Sequence, residues 1–73
     1  MKDLHELKIA VGKQVRYLRN QKGWSQEHLA NKAEKGKTYI SEVECGKHNL
    51  SLETLRLIAA ALEVPVKRLF DFQ

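Results

Sequence analysis

Apolar residues recur along this chain at helical intervals. Leu4, Leu7, Val11, Val15 and Leu18 fall three or four residues apart, so they share one stripe of an amphipathic helix. Asp3 with Glu6 gives a capping-box-like start and Gly23 a stop, which predicts helix 1 over Asp3 to Lys22. Trp24 should then fold back on the last turn, precede the Ser25 N-cap and staple onto Leu29. Leu29, Ala30 and Ala33 predict helix 2 over Gln26 to Ala33. Ile40 and Val43 share one face of helix 3, Lys37 to Cys45, which stops where Gly46 can take the left-handed conformation. Ser51 caps helix 4, whose buried face is expected to be Leu52, Leu55, Ile58, Ala59 and Leu62. Pro65 cannot lie in a helix interior, so it separates helix 4 from a short helix 5 near Val66 to Phe70. With no strand signal and no hairpin dipeptide such as Asn-Gly, the pattern predicts an all-α bundle.

Between helices 2 and 3 lies only Glu34-Lys35-Gly36, too short for anything except a sharp corner. A small side chain at Ala30 facing Ile40 lets the two helices cross closely and steeply. That is the requirement of a helix-turn-helix, whose second helix enters the major groove of DNA. From near Val11 to Phe70 the chain resembles the phage-repressor and Cro-like helix-turn-helix family. The pieces that carry the likeness are VRYLRNQKGWSQEHLA, TYISEVECGK, NLSLETLRLIAAALEV and KRLF, in fixed order and spacing. Within the family, TYISEVECGKHNLSL looks most like the small controller proteins of restriction–modification systems. The resemblance implies a compact five-helix, lambda-repressor-like DNA-binding domain with the motif formed by helices 2 and 3.

Composition narrows the function without naming it. Seventy-three residues make one small domain, 1–73, and 42% hydrophobic content is enough for a packed bundle. The formal charge is +4, and Lys8, Lys13, Arg16, Arg19 and Lys22 come with no acid between them. Such a run is often just a solvated face; beside a helix-turn-helix it fits a phosphate-facing flank. The single cysteine, Cys45, cannot form an intrachain disulfide. His5, His28 and His48 lack partners at metal-ligand spacing. No Gly-rich phosphate loop, nucleophile motif or carboxylate pair points to catalysis, so neither an enzyme nor a cofactor is expected. With no signal peptide or membrane-length apolar run, the expected place is the cytoplasm, away from membranes.

If Ile40 and Val43 point inward, helix 3 turns Lys37, Thr38, Ser41 and Glu42 toward the groove, with Tyr39 and Cys45 at its margins. Lys37 can donate to guanine O6 and N7, Glu42 can accept from cytosine N4, and Thr38 can offer its methyl to thymine or its hydroxyl to either kind of group. On composition alone these would be an ordinary exposed face; the motif around them favours base reading. Ser25 and Gln26 open helix 2, where free N–H groups and the helix dipole favour a phosphate. The resemblance implies that Lys47, His48 and Asn49 ride on the DNA backbone. Tyr39, Lys13 and Arg16 complete the candidate phosphate contacts. The resemblance also implies that Arg19 pairs with Glu44, tying helix 1 to the end of helix 3.

The chain departs from the family pattern at the corner, which usually carries Gly followed by an apolar residue. Here Glu34 is expected to take the left-handed corner, with Gly36 capping helix 3; the alternative is that Gly36 absorbs the bend. His28 replaces the Glu that would complete a capping box with Ser25, and Cys45 replaces a frequent Arg and is expected to be partly buried. A domain this small reads few base pairs alone, so the resemblance implies a homodimer on a pseudo-palindromic double-stranded operator. Leu69, Phe70 and Phe72 are the candidate dimer contacts, with Leu69 taken toward the monomer core. The expected partners are thus operator DNA and a second copy, with RNA polymerase as a further candidate. The alternatives are an antitoxin, a phage-type repressor, or a protein-interaction module that keeps the fold without binding DNA.

Overall fold

Each helix of the computed structural model, which describes residues 3–72, begins and ends on local chemistry visible in the sequence. α1 spans Leu4–Gln21, α2 Gln26–Ala33, α3 Lys37–Glu44 and α4 Leu52–Leu62. The carboxylate of Asp3 accepts the Glu6 N–H at 2.8 Å, the Ser25 hydroxyl that of His28 at 3.0 Å, and the Ser51 hydroxyl that of Thr54 at 3.1 Å. Each cap satisfies an N–H that the first helical turn leaves without a partner. Trp24 folds its backbone onto α1, its N–H meeting the Arg19 carbonyl at 3.2 Å.

The fifth expected helix is a 3-10 helix, Val66–Phe70, rather than an α-helix. Its Arg68 N–H reaches back three residues to the Pro65 carbonyl at 3.0 Å. Five residues after a proline are too few to sustain an α-helical ladder, and the tighter 3-10 turn is the usual result. Among the described residues there is no strand.

One core joins all the helices. Val11, Val15 and Leu18 of α1 meet Leu29, Ala30 and Ala33 of α2, Ile40 and Val43 of α3, Leu55, Ile58, Ala59 and Leu62 of α4, and Leu69. α1 packs on α3 and on the 3-10 helix, and α2 packs on α3 and α4. The radius of gyration, 10.9 Å, is close to the roughly 11 Å of a folded chain this long.

Two residues expected on buried stripes are exposed: Leu4 is 60% and Leu52 85% accessible. Both are the first residues of their helices. Helical side chains lean toward the N-terminus, so a side chain in the first position projects off the end of the helix instead of onto the core.

Candidate nucleic-acid interface

The corner that sets the two motif helices takes the left-handed form at Glu34, with φ 57° and ψ 41°. The Lys35 N–H then reaches the Ala30 carbonyl at 2.9 Å and the Glu34 N–H the Asn31 carbonyl at 3.1 Å, which closes α2. Gly36 is extended and serves as the N-cap of α3, as expected at this corner. Ala30 and Ile40 are both buried where the helices cross.

α3 buries Ile40, Val43 and Glu44. Lys37, Thr38 and Glu42 are exposed and Ser41 is half-buried, so the four candidate reading residues share the outward side of one short helix. Lys47 is exposed just beyond it, where Gly46, at φ 76°, turns the chain. Cys45 is exposed, not partly buried as expected. It caps α3, and the reversal at Gly46 follows before another turn can cover it.

The loop after α3 is tied from two sides. Lys8 Nζ donates to Asn49 Oδ1 at 3.1 Å, and the His48 ring lies 4.4 Å from that of Tyr39. Tyr39, expected among the phosphate contacts, turns its hydroxyl to α4 and donates to Thr54 Oγ1 at 3.3 Å. The Ser51 hydroxyl donates to the same oxygen at 3.0 Å, so Tyr39 helps satisfy a buried threonine. In the first turns of α4, Arg56 donates to Glu53 at 2.7 Å. That hydrogen bond, with the guanidinium charge, holds the Glu53 carboxyl below its ordinary range and raises Arg56.

Beneath α3 sits a polar hub. Arg19 Nε donates to Glu44 Oε2 at 2.7 Å and Arg19 Nη2 to Glu44 Oε1 at 3.0 Å, a two-pronged pair almost closed to solvent. Arg19 Nη1 also donates to the Trp24 carbonyl at 2.7 Å, and Gln26 Nε2 to Glu44 Oε1 at 3.0 Å. Gln26, read from sequence as a phosphate contact, is therefore also part of the tie between α2 and α3. Arg16 stands 3.9 Å from Glu44 and is largely exposed, beside the motif. Lys13 lies elsewhere: with Ala10, Gln14, Tyr17 and Phe72 it lines an open cavity of about 270 Å³.

A residue missed by sequence reasoning lies under the same helix end. Gly12 is buried within α1, and a β-carbon there would stand 2.5 Å from the Val43 carbonyl oxygen and 2.6 Å from that of Glu44. Glycine inside a helix costs roughly 0.5–1 kcal/mol against alanine, so an isolated one in a periodic stretch signals a close approach. At the chain end Leu69 is fully buried, which removes it from the candidate dimer contacts because it has no surface to offer. Phe70 is exposed and Phe72 half-buried, their rings 6.2 Å apart edge to face.

The chain is similar to control proteins, among them restriction–modification controller proteins. It is 39% identical over 69 residues to the control protein C.BamHI of Bacillus amyloliquefaciens, covering 93% of this chain and 85% of that one. The crystal structure of the restriction–modification controller protein C.AhdI from Aeromonas hydrophila superposes with a TM-score of 0.82 at 37% identity, over 89% of this chain and 97% of that one. The controller protein C.Esp1396I, solved as a tetramer in complex with its natural 35 base-pair operator, matches at 37% identity and a TM-score of 0.81, over 89% and 86% of the two chains. The helix-turn-helix family model matches residues 15–69, from the middle of α1 to the buried Leu69, and this chain belongs to that family.

Proposed function

We propose that this chain is a sequence-specific DNA-binding transcription regulator of the restriction–modification controller kind. It binds a pseudo-palindromic operator as a homodimer, with α3 in the major groove of each half-site. The observation that carries this reading is the exposed set Lys37, Thr38, Ser41 and Glu42 on a helix whose buried end is fixed by Arg19 and Glu44. A rigid reading helix with donors and acceptors on its free face is what direct readout needs. Similarity to control proteins, one of them solved on its operator, supports the same reading.

In this reading the whole chain, 1–73, acts as one domain. Ser25, Gln26, Lys47, His48 and Asn49 anchor it to phosphates, Arg16 and Lys13 add longer-range attraction, and Tyr39 acts from behind by holding the loop. Phe70 and Phe72 meet their counterparts across a two-fold axis. The protein works in the cytoplasm without catalysing a reaction, and RNA polymerase is the neighbour it affects at the promoter. Among the described residues no helix is long and apolar enough to cross a membrane.

The test is selection of duplexes from a random pool by the purified protein, followed by a salt titration on the enriched sequence. Enrichment of a two-fold symmetric sequence, with affinity falling steeply as salt rises, is the expected result. A pool that stays random after several rounds would overturn the proposal.

A further inference from the structure

We infer that Gly12 is a positioning residue for base reading: its missing side chain sets how deeply the end of α3 seats on α1. The inference rests on α3 being the reading helix, as proposed above.

Ile9, Gly12, Arg16 and Arg19 follow one another at steps of three and four, which makes them one stripe of α1. The whole stripe faces the end of α3. A β-carbon on Gly46 would meet Ile9 Cγ1 at 2.9 Å and Ile9 Cα at 3.0 Å. One turn further along α1, the Val43 and Glu44 carbonyls lie over Gly12. Beyond them, Arg16 and Arg19 approach the Glu44 carboxylate. The ion pair draws the helix end down, and bare backbone at Gly12 lets it come to rest. The three nearest opposing atoms at Gly12, the Val43 carbonyl oxygen and the Glu44 carbonyl oxygen and carbon, all belong to backbone, so none can swing aside as a flexible side chain would.

A second stripe of α1 carries the chain end. Gln14 Nε2 donates to the Arg68 carbonyl at 2.8 Å, and Phe72 lines the cavity with Ala10 and Tyr17. α1 is therefore the rail on which both the reading helix and the proposed self-association surface are mounted. The depth of the seat fixes their offset in each protomer. Restoring ordinary contact from 2.5 Å needs a displacement of roughly 1 Å, about twice the 0.5 Å or so within which a recognition constellation must be held. Phosphate contacts through flexible lysines tolerate such a shift; hydrogen bonds to base edges do not.

The experiment compares operator and random duplex affinities for the parent, Gly12→Ala and Gly23→Ala, with each protein checked by circular dichroism and thermal melting. Gly23 has positive φ and open space around its α-carbon, so Gly23→Ala strains the backbone without touching the seat. Gly12→Ala should bind the operator about tenfold or more weakly while holding random duplex within about twofold of the parent. Gly23→Ala should melt lower and keep the parent's discrimination. Folded Gly12→Ala with undiminished discrimination would overturn the inference, as would equal loss on both duplexes. If Gly12→Ala does not fold, Ile9→Ala, which loosens the same seat without overlap, takes its place; reduced discrimination supports the seat and parent-like discrimination overturns it. A parent that cannot tell operator from random duplex would instead refute the reading role of α3.

Discussion

Glu34 and Glu63 hold φ of 57° and 63°, each closing the helix before it. A β-carbon in this region costs about 1–2 kcal/mol, part of which glycine recovers after its greater freedom in the unfolded chain is counted. Glu34→Gly should therefore stabilise the protein by about 1 kcal/mol, raising the melting midpoint by roughly 4–8 °C. A lower midpoint would mean that the Glu34 side chain contributes more than its backbone strain costs. Arg19 is a residue of the opposite kind, constrained by charge. Its side chain is 9% accessible and that of Glu44 2%, so truncating Arg19 leaves the buried Glu44 carboxylate with only Gln26 and the exposed Arg16 to offset its charge. Arg19→Ala should cost on the order of 3 kcal/mol in denaturant unfolding, and a cycle with Glu44→Ala should show strong coupling. Small, additive effects would mean that the pair does not hold α3 to α1.

At the scale of elements, α3 and the loop after it should fail in different ways. Lys37→Ala or Glu42→Ala should relax base preference at one position per half-site, at a cost of about 1–3 kcal/mol on the preferred operator. Lys47→Ala should weaken every duplex alike and lower the salt slope by about one unit. Unchanged affinity and base preference in both α3 variants would remove that helix from base reading. The elements themselves were legible because periodicity, caps and helix stops act locally: the Ser25 and Ser51 caps could be read from neighbouring residues, whereas the left-handed Glu34 was expected only from the family's usual corner, since Gly36 beside it could have absorbed the bend. What depends on three-dimensional offset could not be read this way. The apolar stripes include Leu4 and Leu52, but periodicity does not register that a first-turn side chain leans off the helix end. Tyr39 looks like a margin residue until the buried Thr54 hydroxyl is seen to engage it. Gly12 alone left a signal in the sequence, a glycine inside an otherwise periodic helix, and only the carbonyls of α3 give that glycine a reason.

For the whole molecule, the question is how a single short reading helix achieves selectivity. Four outward residues on α3 could reach only a few base pairs, whereas two copies related by a two-fold axis would double the contacts and fix the spacing between them. The exposed apolar residues near the chain end, Val66 at 40% and Phe70 at 38% accessibility, suit the contact between copies. The half-buried Phe72 ring supports Phe70 edge to face, which makes the aromatic surface stiff and inexpensive to order on association. Phe70→Ser removes the outer ring and leaves the buried Leu69 in place, so the monomer should keep its fold. The variant should shift toward monomer in sedimentation at micromolar concentration, and its operator binding should depend more steeply on protein concentration. A single half-site should still be recognised weakly, because α3 and its seat on α1 are untouched. Sedimentation of the parent with and without a palindromic duplex is the decisive measurement. Two protomers per duplex support the dimer; a strict monomer binding one-to-one in both cases would refute it, and with it the operator symmetry on which the controller reading depends.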